Sequence, residues 1–216
     1  HFAIPTRLPT HKTRYFALLR SLKSLVISQP VLRQRAFYQG LMFASFSLFW
    51  TTVPVVLARE YGFSQTQIAL FALVGAAGAV AAPIVGRLAD KGYTYEMSLL
   101  AKVIALLCFL PSLFDLPNGI IILALTGVLI DFAVQANMVL GQRVIYSLEP
   151  QSRARLNAIY MTSIFLGGAV GSLIASSLYE FGGWESIALV AAAMPLIALI
   201  GFVYSAKKEK QKAHIA

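Results

Sequence analysis

Asp131 is the residue whose type and position most demand a chemical explanation. It is the only acid inside any of the long apolar runs of this 216-residue chain and lies about twelve positions into one of them, Gly119 to Leu140. A carboxylate at such a depth in hydrocarbon costs several kcal/mol unless it is hydrated, paired or protonated. Gly127, Asp131, Gln135, Met138 and Gln142 recur at three- to four-residue intervals, which puts them on one stripe of a helix. A polar stripe on an apolar span reads as the wall of a cavity. There, Asp131 could take up and release a proton, with Gln135 beside it on the path. The competing reading is a structural aspartate bonded to a neighbouring helix, with Lys102 snorkelling toward the cytoplasm.

A second set precedes it. Phe46, Trp50 and Pro54 are four residues apart, with Ser47 and Thr51 adjacent. Aromatic faces with hydroxyls suit an amphipathic organic ligand, although packing alone also accounts for such aromatics. Pro54 is placed to kink its helix. Enzyme chemistry finds no parts: His1, His11 and His214 all lie at the ends, and no Gly-x-Ser-x-Gly, His-Glu-x-x-His or phosphate-binding Gly-x-x-x-x-Gly-Lys-Ser/Thr occurs. The single cysteine, Cys108, excludes an internal disulfide and a thiol cluster for metal. Neither a metal nor a cofactor is expected.

The elements that must position these residues are membrane spans. Hydrophobic residues make up 58% of the chain and charged ones 12%, and the mean hydropathy is +0.71, more apolar surface than a soluble core of this size could hide. Six runs, Ala36–Ala58, Thr66–Val85, Met97–Phe114, Gly119–Leu140, Leu156–Leu178 and Ser186–Tyr204, are each long enough to cross a bilayer. An even number of crossings puts both ends on one side. With that topology sixteen Lys and Arg lie on one side against Arg59 alone on the other, and Lys102 falls within a span. The bias places both termini in the cytoplasm and explains the net charge of +9 without nucleic acid. The expected organisation is a basic cytoplasmic segment (1–35), a six-helix transmembrane part (36–204) and a basic tail (205–216). Within the first segment, Leu18, Leu22 and Leu25 oppose Arg20 and Lys23, as in an interfacial helix, or else the stretch is a linker. The chain opens without an initiator Met or a cleavable signal, and is expected to be a piece of a longer one. Small residues four apart mark the second run (Gly75 with Ala79; Gly78 with Ala82 and Gly86) and the fifth (Gly167 with Gly171), where they let helix backbones approach closely.

Between the second and third runs lies Gly86-Arg87-Leu88-Ala89-Asp90-Lys91-Gly92, read as a seven-residue charged hairpin in which Gly86 and Gly92 allow the turns and Arg87, Asp90 and Lys91 form a charged knot. It resembles the Gly-x-Leu-Ala-Asp-Arg/Lys-x-Gly signature of major facilitator superfamily transporters, except that Lys91 is followed directly by Gly92 and the usual basic pair is replaced by Tyr93 and Thr94. The stretch from Gln142 through Ser172 is similar to the same region of bacterial arabinose- and drug-efflux members. The resemblance implies an all-α integral membrane fold, the C-terminal six-helix half of twelve, built as a 3+3 inverted repeat. It also implies that the first and fourth helices line the path while the second and fifth contact the other half. Glu149 with Arg143, Arg153 and Arg155 is read either as an inner-gate salt-bridge cluster or as an ordinary basic loop. The implied activity is proton-coupled efflux of a small organic solute, as an antiporter in the cell inner membrane. The implied partners are the lipid bilayer, the solute, protons, and a missing N-terminal half or a second copy. A truncated remnant that transports nothing is the alternative.

Overall fold

The computed structural model describes residues 15–114 and 117–215. It is helical throughout these residues, and the first fourteen residues of the expected basic segment lie outside them. Helix α1 (Tyr15–Ser28) ends two residues before Pro30, and α2 (Pro30–Arg59) starts there, with the proline in the first turn, where its missing N–H would have had no partner. The first span therefore begins six residues before the expected Ala36. Pro54 is accommodated inside α2.

After a turn at Gly62 (φ +66°), Ser64 opens the second span through a capping box: its hydroxyl accepts from Gln67 N at 3.4 Å, and Gln67 Oε1 accepts from Ser64 N at 2.8 Å. That span comprises α3 (Gln65–Ala76), one turn of 3-10 helix (Ala77–Val80) and α4 (Ala81–Asp90). Helix α4 corrects the expected hairpin. Gly86, Arg87 and Asp90 are helical, and only Lys91, Gly92 and Tyr93 turn, with Gly92 at φ +96°. Leu88 and Ala89 carbonyls accept the N–H groups of residues 91–93 and close the helix end, so no longer loop is needed. Helix α5 (Thr94–Leu107) continues into a short 3-10 turn (Leu110–Leu113), and α6 (Gly119–Leu148) forms the fourth span.

Helix α7 (Arg153–Ile215) runs past the expected end at Tyr204 but is interrupted at Gly182 and Gly183, where the dihedrals leave the helical region and Gly183 takes φ +60°. The bonding register shows what the interruption does. Along α2, Ser47 and Thr51 bond Ser172 and Arg59 bonds Glu180, so the partners ascend. Beyond the glycines the order inverts: Ser45 donates to Ala191 O at 2.7 Å, and Tyr38 bonds Ser205 at 2.9 Å. The two arms of α7 are thus antiparallel, and α2 packs between them. Among the described residues five helical segments are long and apolar enough to cross a membrane, the last of them Pro150–Lys208, which holds both arms.

The largest core cluster surrounds α2. Phe49 is fully buried, with the Phe109 and Trp184 rings at 6.1 and 5.9 Å from its own. A second cluster joins Leu25 of α1 to Leu32, Ile145, Leu156 and Tyr160, which anchors α1 by one residue while Tyr15 and Phe16 stay exposed. The two glycines of the loop signature should separate experimentally. In detergent, Gly92→Ala forces a Cβ into a left-handed conformation and is expected to cost about 1–2 kcal/mol. Gly86→Ala meets nothing within 4 Å and should be neutral or gain about 0.5–1 kcal/mol. Equal losses in thermal unfolding would return Gly86 to the turn.

Candidate functional site

Asp131 faces α2 and the second span together. Its Oδ2 accepts the indole N–H of Trp50 at 2.9 Å, linking α6 to α2, and both side chains are half-buried. The approach of the second span depends on its glycines. A Cβ on Gly75 would lie 2.7 Å from the Trp50 ring and 2.9 Å from Asp131 Oδ2, and one on Gly78 would collide with Asp131 Cβ and sit 2.7 Å from Phe132 N. The 3-10 turn that contains Gly78 thus lies directly against the carboxylate-bearing turn of α6. Phe71 completes the enclosure, its ring 6.4 Å from that of Trp50.

A hydroxyl cluster lies on the same side of α2. Ser172 Oγ is 2.7 Å from Ser47 Oγ and 2.9 Å from Thr51 Oγ1, and Thr51 is exposed. Phe46 stacks on Phe43 at 5.1 Å, and Gly168 lies against Phe43. Gln135, one turn beyond Asp131, is half-buried. Of the expected path residues only Trp50 and Asp131 are brought into contact across α2 and α6, while Thr51 bonds Ser172 of α7 and Phe46 stacks within α2. The arrangement offers one carboxylate, aromatic faces and hydroxyls. Gly167 and Gly171 serve a different contact: a Cβ on either would strike the carbonyl oxygen of Gly40 or Ala44 of α2. The glycine rows thus face inward, while Leu73, Phe165 and Leu173 point out of the bundle.

Lys102 does not snorkel. It is fully buried, and its ammonium donates to Ser98 O at 3.0 Å and Asn137 Oδ1 at 2.6 Å, with the Phe202 ring 4.3 Å and the Tyr38 ring 5.7 Å away. Asn137 Nδ2 donates on to Gln39 Oε1 at 2.5 Å, and Gln39 Nε2 to Val134 O at 3.2 Å. The backbone carbonyl at the end can only accept, so both amides must point their oxygens back toward Lys102. Arg35 donates to Ser98 Oγ at 3.0 Å and lies over Phe202. The competing reading of Asp131, in which Lys102 snorkels toward the cytoplasm, missed this relay. A signal for it was present: Gln39, Lys102 and Asn137 each sit three to five residues inside an apolar run, at its cytoplasm-assigned end.

At that end Asp90 pairs with Arg143 of α6, not within its own loop with Arg87 or Lys91. Nor do Glu149, Arg153 and Arg155 form an ion-pair cluster: Ser152 Oγ bonds Glu149 Oε1 at 2.7 Å and accepts from Arg155 at 2.6 Å, while Arg153 donates to Tyr146 O at 3.2 Å. The other ion pair among the described residues joins Arg59 to Glu180 at 2.6 Å, at the opposite end of the bundle. The relay makes an ordered prediction for unfolding in detergent. Asn137→Leu strands a buried ammonium and should cost about 3–5 kcal/mol. Lys102→Met removes the charge with its demand and should cost less, about 1–3 kcal/mol, for the unpaired Asn137 oxygen. The reverse order would mean that the ammonium is not what the relay serves.

Comparison with known proteins agrees with this architecture. The Major Facilitator Superfamily profile matches residues 36–216. The chain is 39% identical over 187 residues to the putative uncharacterized transporter YgaY of Escherichia coli (strain K12), covering 86% of this chain and 47% of that protein. It is 28% identical over 195 residues to the probable transporter SCO4007 of Streptomyces coelicolor, covering 89% of this chain and 45% of that protein. The chain thus spans about half the length of the curated relatives it matches. No solved structure matches it. On the profile match and the helical membrane architecture together, the chain belongs to the major facilitator superfamily, a family of transporters and not of enzymes.

Proposed function

We propose that the chain forms the C-terminal six-helix half of a twelve-helix secondary transporter that exports a small organic solute, of the arabinose- or drug-efflux type, in exchange for protons. The observation that carries the reading is that Asp131, within a span, is only half-buried, since a bond to a neighbouring helix such as that from Trp50 is what a structural aspartate would also make. A carboxylate within a span is held by an aromatic donor on the neighbouring helix, on a face that the rest of the chain leaves partly uncovered. An ionisable residue within a span is by default a candidate for a functional site. The deprotonated carboxylate, fixed by the Trp50 N–H, holds the solute loaded from the cytoplasm; protonation from the outer side neutralises it and weakens the charge-assisted bond, so the solute is released, and loss of the proton to the cytoplasm resets the site. Thr51, Phe46 and Gln135 supply the remaining polar and aromatic contacts.

The antiparallel arms of α7 support a count of six crossings; the 3+3 inverted repeat and the cytoplasmic placement of the basic ends belong to the proposal. The coverage of about half of each relative supports a partner half, supplied by more chain or by a second copy. The outward apolar faces of the second span and of the first arm of α7 are the surfaces it would cover.

The test is flux in proteoliposomes that carry the full-length transporter, with ethidium and arabinose as probe solutes and an imposed pH gradient. Flux should saturate with solute and follow the gradient. Asp131→Asn should lower gradient-driven flux more than tenfold without changing membrane insertion. Undiminished coupling in that variant removes Asp131 from the mechanism, non-saturating flux makes the protein a channel, and intact insertion without flux of either solute overturns the arabinose- and drug-efflux reading.

A further inference from the structure

Several hydroxyls within the spans end on a carbonyl of their own helix. Thr52 donates to Leu48 O at 2.9 Å, Thr162 to Ala158 O at 2.8 Å and Ser163 to Ile159 O at 3.1 Å, which satisfies a hydroxyl where no water reaches. Ser47, Thr51 and Ser172 behave differently. They bond one another, with Ser172 Oγ 2.7 Å from Ser47 Oγ and 2.9 Å from Thr51 Oγ1. Each hydroxyl brings one donor and two lone pairs, and the two bonds use two donors and two lone pairs. One O–H and several lone pairs therefore stay uncommitted among the described residues. Thr51 and Ser172 are exposed, so this capacity faces out of the chain within a span. Hydrocarbon would leave it unmet, which is costly, whereas water or a polar solute would meet it.

The cluster is one end of a polar seam. Helix α2 carries Ser47, Thr51, Val55 and Arg59 at four-residue spacing, and the first arm of α7 carries Ser172, Ser176 and Glu180 at the same spacing. The two rows climb together until Arg59 meets Glu180 at 2.6 Å. A cavity of about 120 Å³ lies between them, with Thr51, Ser176, Arg59 and Glu180 in its wall, and Ser176 is exposed. From Ser172 to Glu180 the seam covers roughly 12 Å at 1.5 Å per residue, toward the end of the bundle opposite the basic one. Its bonds to α2 set it apart from the outward apolar face of the same arm, where Phe165 and Leu173 stand.

The chemistry of the seam selects its occupant. The hydroxyl cluster carries no charge, and Arg59 and Glu180 at the far end neutralise each other. An organic cation finds no counter-charge at the cluster. A solute that donates and accepts at adjacent atoms finds a partner for both, and neighbouring hydroxyls of a neutral polyol have that pattern. Phe46, one residue before Ser47 and stacked on Phe43 at 5.1 Å, supplies an apolar face for the C–H side of such a molecule.

We propose that Ser47, Thr51 and Ser172 form a hydrogen-bonding subsite for a neutral polyol, reached along the seam between α2 and the first arm of α7, and that it sets a preference for hydroxyl-rich solutes over organic cations. The inference rests on the transport reading for its solute, while its geometry uses neither Asp131 nor Trp50.

The test is flux of L-arabinose and of ethidium by the full-length transporter in proteoliposomes under an imposed pH gradient. Ser47→Ala and Thr51→Val should each raise the KM for arabinose about three- to tenfold, and Ser172→Ala, which removes the shared oxygen, at least tenfold. Maximal arabinose flux and the KM for ethidium should change less than twofold, and Thr51→Ser, which keeps the hydroxyl, should match the unaltered protein. An unchanged arabinose KM in Ser172→Ala overturns the subsite while proton-driven flux leaves the transport reading standing. An equal rise for both solutes makes the cluster a packing contact and also overturns it, and ethidium flux without arabinose flux overturns the polyol preference alone. Labelling decides the route without any flux. In a transporter otherwise free of cysteine, Ser172→Cys and Ser176→Cys should react with a membrane-impermeant maleimide added at the outer face, and L-arabinose should slow the reaction at position 172 at least threefold. No reaction at either position means that a partner half covers the seam, and overturns the route.

Discussion

Inside a bilayer no water completes a hydrogen bond, so every polar atom on these helices must find its partner on another helix or on its own backbone. The Lys102 relay meets this demand most completely. One ammonium, two amides and two carbonyls connect α5, α6 and α2, and the two aromatic faces that flank the charge belong to α2 and the second arm of α7. Because it ends on a main-chain carbonyl, the relay has a single polarity, and its open end presents only oxygens and ring faces. Four helices are thereby held in one register at the level where the bundle meets its basic end.

Close backbone contact holds the other side of α2. Gly40 against Gly167 and Ala44 against Gly171 bring α2 and the first arm of α7 together without intervening side chains. Dispersion between helices needs such closeness, since lipid is as apolar as leucine and offers no hydrophobic gain for association. The same economy places Gly75 and Gly78 against the Asp131 turn. The glycine rows build this bundle from within, and the large side chains outside them, Leu73 and Phe165 among them, are left to meet lipid or a partner.

The two ion pairs lie at opposite ends and bind different helices, Asp90 of α4 to Arg143 of α6 and Arg59 of α2 to Glu180 of α7. Both are exposed, and exposed pairs contribute about 0–1 kcal/mol. They can therefore open and close at little cost, whereas the buried relay cannot. The basic end is therefore held by the relay and the opposite end by the weak Arg59–Glu180 latch.

The apolar runs, the one-sided Lys and Arg, the acid of α6 and the helical stripe that carries Gln135 with it were legible in the chain, because burial in lipid and the period of 3.6 act on neighbouring residues. Tertiary structure alone decided which groups answer one another. Trp50 and Asp131 are 81 residues apart, Asp90 and Arg143 are 53 apart, and Lys102 and Asn137 are 35 apart. Local pattern marks each as polar and displaced from water, but the partner of a polar group in a membrane is whatever a different helix presents at the same depth, and that follows only from how the spans are packed. The loop signature shows the same division: its residues are plain in the chain, yet α4 extends through Asp90 because a helix end is set by where its last carbonyls find donors, here the N–H groups of residues 91–93.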